Sequence, residues 1–424
     1  MKSIISSDSF KVTKQRLEMA ILVFLKWVAI SVIIGVATGL IGSLFGLGLS
    51  FVTNLRTSHP WLLFLLPAAG LIIVFIYNIT GSSNNKGTNL VITAIHSNED
   101  VPGKVAPLII ISTLLTHLCG GSAGREGAAL QIGGSVGNEL AKFFALDEKD
   151  TRILIMCGMS GCFAALFGTP IAATIFSMEV ISVGIMYYAA LVPCTLSAII
   201  GAGISSLFHL HSAHYDIGIL PAFTISTVVK LMVISMIFAL ASIVFCIVLH
   251  KTSALFNKHF PVPYIRIIFA AIFIIALRFL TGTDAYLGAG TEIIDQSFVT
   301  QSVWWACILK ILFTAITLGG GFKGGEIVPT LFIGATLGSF LGPVFGLPVG
   351  LCAACGMVTV FCGVTNCPVT SLILSIEMFG GESIKFCMVC IAVGYLLSGY
   401  YSLYNSQKIM YSKYKTEYVN KNTH

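Results

Sequence analysis

The chain has 424 residues, of which 56% are hydrophobic and only 10% charged, and its mean hydropathy is +0.92. A soluble domain carries about a quarter charged residues, so a water-soluble globular protein is excluded and a polytopic membrane protein implied. The net charge of +6 comes without a basic stripe interleaved with aromatic residues, which points to membrane orientation and away from nucleic acid as a partner.

The first residues, MKSIISSDSFKVTKQRLEMA, are basic and lead into an apolar run. Lys26 interrupts that run and no small-residue cleavage site follows, so 1–17 reads as a retained cytoplasmic leader and not a signal peptide. Residues 18–205 form a first transmembrane set. Between Arg152 and Asp216 the only formally charged residue is Glu179, a stretch long enough for two or three crossings of about 20 residues each. A linker at 206–221 separates this set from a second one at 222–405, and a basic tail follows at 406–424 with Lys408, Lys413, Lys415 and Lys421. With Lys251 and Lys258 in the loop HKTSALFNKHF, the positive-inside rule puts both termini and this loop in the cytoplasm.

Metal and redox sites are the first chemistry to weigh. Cys352/Cys355 and Cys387/Cys390 are both C-x-x-C, but each pair falls in an apolar helical segment, where small buried thiols serve as packing residues. His209, His211 and His214 either bind a metal or form an interfacial loop, and the loop is the preferred reading. No metal and no cofactor are expected.

Gly- and Pro-rich breaks (GSSNNKGTN, GGSAGREG, FGTP, LGGGFKGGEIVP, GVTNCP) interrupt the apolar runs at intervals too irregular for a bundle of full-length helices. Helices must therefore begin and end within the membrane, which is tolerated only where the backbone is buried in protein or lines a wet cavity. The segment at 157–179 repeats at 355–377, matching Phe163 with Phe361, Pro170 with Pro368, Ser177 with Ser375 and Glu179 with Glu377. Upstream, Ile132, Gly133 and Gly137 meet Ile333, Gly334 and Gly338 at nearly the same offset. With the second half entering from the opposite face, this predicts an all-α polytopic protein built as an inverted-topology repeat of broken and tilted helices. In such folds the site lies near the midplane between repeats, where helix N-termini point inward and favour an anion.

Arg125 and Glu126 stand at one such expected helix start, followed by Gly127, Ala128 and Ala129, which permit close backbone approach. Two readings stand for Glu126. Its carboxylate can occupy an anion site and leave it on protonation, acting as gate and proton carrier, or it can form a structural ion pair with Arg125. The repeat sets Glu326 against Arg125 and Ile327 against Glu126. Glu326 is a second intramembrane carboxylate, either functional or paired with Lys323 or Arg125. Glu179 and Glu377, equivalently placed, suggest a shared structural task such as bonding backbone amides. Tyr404, at the end of the last span, is either an interfacial anchor or a hydroxyl donor to an anion.

GREG followed by ALQIGG, with a second-half GGxxxP about 200 residues later, resembles the CLC family of chloride channels and transporters over nearly the whole membrane region. The resemblance implies the CLC fold, a homodimer with one pore per subunit, Glu126 as gating glutamate and Tyr404 as central tyrosine. Three departures stand out. The family's chloride-coordinating serine motif, G-S-G-I-P, is replaced by NNKGTNLVI; its G-x-F-x-P by GEIVP; and the internal proton-relay glutamate of many chloride/proton exchangers by Val180. All three are similar to the branch that exports fluoride from bacteria in exchange for protons.

The function expected from this resemblance is a fluoride/proton antiporter of the bacterial inner membrane, a secondary transporter and not an enzyme. Glu126 would be gate and proton carrier and Glu326 the second coupling carboxylate, with Lys86, Gly87, Thr88, Asn89, Arg125, Gly127, Ile327, Val328 and Tyr404 along the anion path. The alternatives are a chloride/proton antiporter or passive chloride channel of the same fold and, in another class, a metal-dependent membrane enzyme or sensor.

Overall fold

The computed structural model describes residues 7–83, 86–97, 99–210 and 214–424, with side chains from residue 13 onward. Asn84 and Asn85 of the serine-replacing segment, His211 of the histidine loop and the start of the leader lie outside the described residues. Sixteen α-helices occupy the described chain. In order they are α1 Ser7–Ser58, α2 Leu66–Ile79, α3 Thr88–Ser97, α4 Val105–Leu118, α5 Glu126–Phe143, α6 Glu148–Phe167, α7 Pro170–Glu179 and α8 Leu191–Leu207. They continue as α9 Ile225–His259, α10 Pro263–Thr281, α11 Thr291–Ser297, α12 Ala306–Gly319, α13 Ile327–Val344, α14 Val349–Thr365, α15 Pro368–Phe379 and α16 Ile384–Leu397.

Among the described residues seven helical segments are long and apolar enough to cross a membrane, and this is a multi-pass membrane protein. The others explain the irregular breaks. α7 has 10 residues and α4 and α12 have 14 each, so they rise only about 15–21 Å against a hydrocarbon core of about 30 Å. Their ends lie within the protein's depth, and local chemistry sets them. Pro170 and Pro368 open α7 and α15, where a missing N–H is harmless, and Gly168 and Asn366 end α6 and α14 in the left-handed conformation.

The repeated glycines mark backbone-to-backbone packing. A Cβ added at Gly133 of α5 would stand 2.1 Å from the Gly158 carbonyl oxygen of α6, and one at Gly334 of α13 would stand 2.3 Å from that of Gly356 in α14. Gly137 and Gly338, one turn on, are equally closed, by Leu154 and Cys352 carbonyls at 2.5 and 2.0 Å. No side chain fits between these helices, so each half holds its central helix on the backbone of the next.

Glu179 and Glu377 tie the halves together reciprocally. The Glu179 carboxylate accepts from the Val369 and Thr370 amides at 3.0 and 2.8 Å and from the Thr370 hydroxyl at 2.6 Å. Glu377 accepts from the Ile171 and Ala172 amides at 2.9 and 2.8 Å. Each glutamate stands in the last turn of one helix and caps the start of its counterpart, where amides have no intrahelical acceptor and the helix dipole is positive. Bonding backbone amides is thus what both do.

The helical expectation needs one addition. Ser182–Val183 (β1), Lys408–Tyr411 (β2) and Tyr418–Asn422 (β3) make a small sheet, with β2 parallel to β1 and antiparallel to β3. The basic tail is therefore folded onto the first half of the chain. Gln407, fully buried, explains why it docks. Its amide donates to the Val180 and Thr365 carbonyls at 2.9 and 2.7 Å, and its oxygen accepts from Asn366 and Ser402 at 2.9 and 3.0 Å. All twelve cysteines are free and buried, with Cys157 against Cys194 and Cys355 against Cys387 at sulfur separations of 4.0 and 3.9 Å.

Candidate anion and proton site

The loops before α5 and α13 meet as an antiparallel bridge. Gly124 N donates to Gly325 O at 2.6 Å and Gly325 N to Gly124 O at 2.8 Å. A Cβ at Gly325 would lie 2.5 Å from the Gly127 nitrogen, so glycine is required for the two helix starts to come this close. Ser122 anchors the first loop through its amide to Thr317 Oγ1 at 3.0 Å. The aligned residues hold equivalent places: Arg125 and Glu326 are the N-caps of α5 and α13, and Glu126 and Ile327 their first residues. Glu126 and Gly127 open α5, Ile327 and Val328 open α13, and all four are buried.

The two carboxylates differ in their partners. Glu126 is wholly buried and held from its own first turn: Oε2 accepts from the Arg125 amide at 3.2 Å, and Oε1 stands 3.4 Å from Arg125 Nε. The Arg125–Glu126 ion pair is therefore present with the carboxylate buried. Glu326 forms no ion pair with Lys323 or Arg125 among the described residues, and its Oε2 is buried without a hydrogen-bond partner. That oxygen faces the start of α5, since a Cβ at Gly127 would be 2.9 Å from it.

Two cavities with no lining residue in common approach this junction. The wider, about 680 Å³, is lined by Arg125 together with Arg56, His117, Asp284 and Glu292. The narrower, about 330 Å³, is lined by Lys86, Gly87, Thr88, Asn89, Glu326 and Tyr404 among others. Of the groups expected along the anion path, the narrower cavity thus gathers five, while Glu126, Gly127, Ile327 and Val328 belong to the buried junction.

Tyr404 is only 1% exposed, so it is no interfacial anchor. Its hydroxyl is buried and unpartnered, and it lies within electrostatic reach of Glu326 and Glu126. The tail places it: Thr423 Oγ1 donates to the Tyr404 carbonyl at 2.7 Å. Lys86 lines the cavity, but its ammonium is taken by Glu99 at 2.8 Å. The Asn89 side-chain oxygen accepts from the Ser406 amide at 3.0 Å, bracing the Tyr404 loop, and the Thr88 hydroxyl donates to Gly127 O at 3.3 Å. The sequence reading assigns Gln407 no role and Lys323 only that of an alternative partner for Glu326. Nothing marks Gln407 beyond its place at the end of an apolar span, whereas Lys323, an isolated cation within a glycine run, is a signal that was open to use.

Comparison with known proteins agrees with this architecture. A protein of Pseudomonas syringae pv. tomato named chloride/fluoride channel protein is 34% identical over 92% of this chain and 88% of its own length. The crystal structure of a CLC-type fluoride/proton antiporter, 35% identical, superposes with a TM-score of 0.88 over 91% of this chain and 98% of that one. A slow cyanobacterial Cl⁻/H⁺ antiporter, 17% identical, shares the fold with a TM-score of 0.74 over 88% of this chain and 94% of that one. The sequence profile described as voltage gated chloride channel matches residues 69–399, and with that span and the 34% identity this protein belongs to the CLC, or voltage-gated chloride channel, family.

Proposed function

We propose that the protein is a fluoride/proton antiporter that exports fluoride from the bacterial cytoplasm. The observation that carries this reading is the placement of a buried carboxylate, Glu126, and a carboxylate with a buried unpartnered oxygen, Glu326, at the start of two helices, with an unpartnered Tyr404 hydroxyl lining the same cavity as Glu326. Unpaired amides and positive helix ends favour a negative charge there, and a carboxylate and a permeating anion compete for it. Protonation of Glu126 removes its charge, frees the position and couples anion passage to a proton. Glu326, facing the narrower cavity, is the second coupling carboxylate. Fluoride is small and strongly hydrated, so its site must replace water with close donors. The relationship to the CLC-type fluoride/proton antiporter, at 35% identity over nearly all of both chains, supports fluoride as the anion.

The chain is divided as 1–17, 18–205, 206–221, 222–405 and 406–424, sits in the bacterial inner membrane with both termini cytoplasmic, and works as a homodimer. Cysteine accessibility at the termini and cross-linking in membranes test orientation and dimerisation.

The deciding experiment uses proteoliposomes loaded with fluoride. Acidifying the outside is expected to drive fluoride movement against its gradient, and chloride is expected to move poorly. Chloride movement under the same gradient, with fluoride inert, would overturn the assignment in favour of chloride/proton exchange. Flux insensitive to the proton gradient would favour a passive channel.

A further inference from the structure

The charged groups lining the narrower cavity are not equally satisfied. Lys86 is paired with Glu99, and His250 Nε2 contacts the Ser402 carbonyl at 2.8 Å. Glu326 is the intramembrane carboxylate already described. Lys323 remains. It precedes the Gly124–Gly325 bridge by two residues and lines the cavity, and among the described residues its ammonium has neither a hydrogen-bond acceptor nor a carboxylate. Among the described residues its close partner is the Tyr77 ring, whose centroid is 4.8 Å from Nζ. A second cation backs the same loop. Arg266 Nε is buried without a partner, and a Cβ at Gly321 would be 3.8 Å from it.

An ammonium that lines a cavity with no acceptor or carboxylate beside it, and with a second cation behind its loop, attracts an anion, and a cation–π contact only partly substitutes for one. Glu326 is three residues away on the same loop and does not supply the missing charge. An ion entering the cavity can supply it.

We propose that Lys323 is an anion-docking residue, whose ammonium holds a small inorganic anion in the narrower cavity before that anion reaches the carboxylate junction. This rests on the transport reading above, and it adds a station distinct from the helix starts and from Tyr404. The ligand is the small monovalent anion of that reading, which the single ammonium balances charge for charge.

Fluoride flux from the narrower-cavity side of oriented proteoliposomes, read with a fluoride electrode, tests the station. Lys323→Gln is expected to raise half-saturating fluoride about tenfold, the size of one charge-assisted hydrogen bond, with the proton-to-fluoride ratio from reversal potentials unchanged. Lys323→Arg should restore the affinity. Unchanged half-saturation in Lys323→Gln overturns the proposal, as does a changed ratio at unchanged affinity, which assigns Lys323 to the proton path. Should the variants not fold, crystals of the wild-type protein soaked in sodium bromide decide. An anomalous peak within hydrogen-bond distance of Lys323 Nζ supports docking, and its absence overturns it. The bromide result is independent of coupling. Failure of the wild type to exchange fluoride for protons therefore sinks the transport reading while leaving the docking site to the diffraction result.

Discussion

Two pairs of glutamates sit at equivalent or neighbouring places in the two halves of the chain, and they are treated in opposite ways. At the α7/α15 junction, Glu179 and Glu377 are the same residue in both repeats, each cap the other's helix, and five hydrogen bonds consume their oxygens. At the α5/α13 junction the repeat is broken: Glu126 is the counterpart of Ile327, Glu326 that of Arg125, and Glu326 Oε2 is left without a donor. Where symmetry is kept, polar groups are satisfied and the carboxylate holds the fold. Where symmetry is lost, charge stands unsatisfied at helix starts, the condition for binding and releasing an ion.

Mutations at the two junctions should therefore separate function from stability. Glu126→Gln is expected to lower pH-driven fluoride transport by two orders of magnitude or more while the protein stays folded; retained coupling in proteoliposomes would remove Glu126 from the gate. Glu179→Ala should do the reverse. It leaves two amides and a hydroxyl without an acceptor and is expected to destabilise by about 3 kcal/mol, at roughly 1–3 kcal/mol per orphaned group, seen as a lower melting temperature of purified protein. Glu377→Ala, with two bonds and a partly exposed carboxylate, should lose less.

Glu326→Gln breaks no hydrogen bond at Oε2, so its melting temperature should move little while the proton-to-fluoride ratio shifts. A large loss of stability there would mean that Glu326 belongs with the caps. The smallest effect is expected outside the membrane-spanning helices. Burial raises the Asp100 carboxyl, but the contacts from Lys142 at 2.8 Å and Asn138 at 2.6 Å outweigh it and hold the group below its ordinary value. A depressed carboxyl contributes stability above its unfolded value and loses it as pH falls through the lower, folded one. Lys142→Ala should thus cost less than about 0.5 kcal/mol at pH 7, because the pair is half exposed and screened, and the difference should shrink as pH falls below the ordinary carboxyl value and be gone only below the lower, folded one.

Much of the architecture was legible because it is written in residue types with few alternatives. Gly133 with Gly334 and Gly137 with Gly338 recur because helix backbones touch there, and Pro170 with Pro368 recur because helices begin there. The location of the two junctions followed from these matches. Less was legible of the narrower cavity. Whether Lys86 faces an anion or Glu99, and whether Asn89 lines the path or braces Ser406, depends on how distant loops are brought together. The folded tail escaped notice for the same reason: its lysines read as a cytoplasmic basic tail, whereas Gln407 buries its amide against Val180, far away in sequence, and Thr423 bonds the Tyr404 carbonyl.

The reciprocal caps also set a clock on synthesis. When the ribosome has made α7, the Ile171 and Ala172 amides lack their acceptor, which lies in Glu377, about 200 residues farther on. At roughly 5–20 residues per second the first half waits about 10–40 s with an uncapped helix start in the membrane. That half-made protein has an end to hide, and the second half, arriving inverted, supplies what hides it.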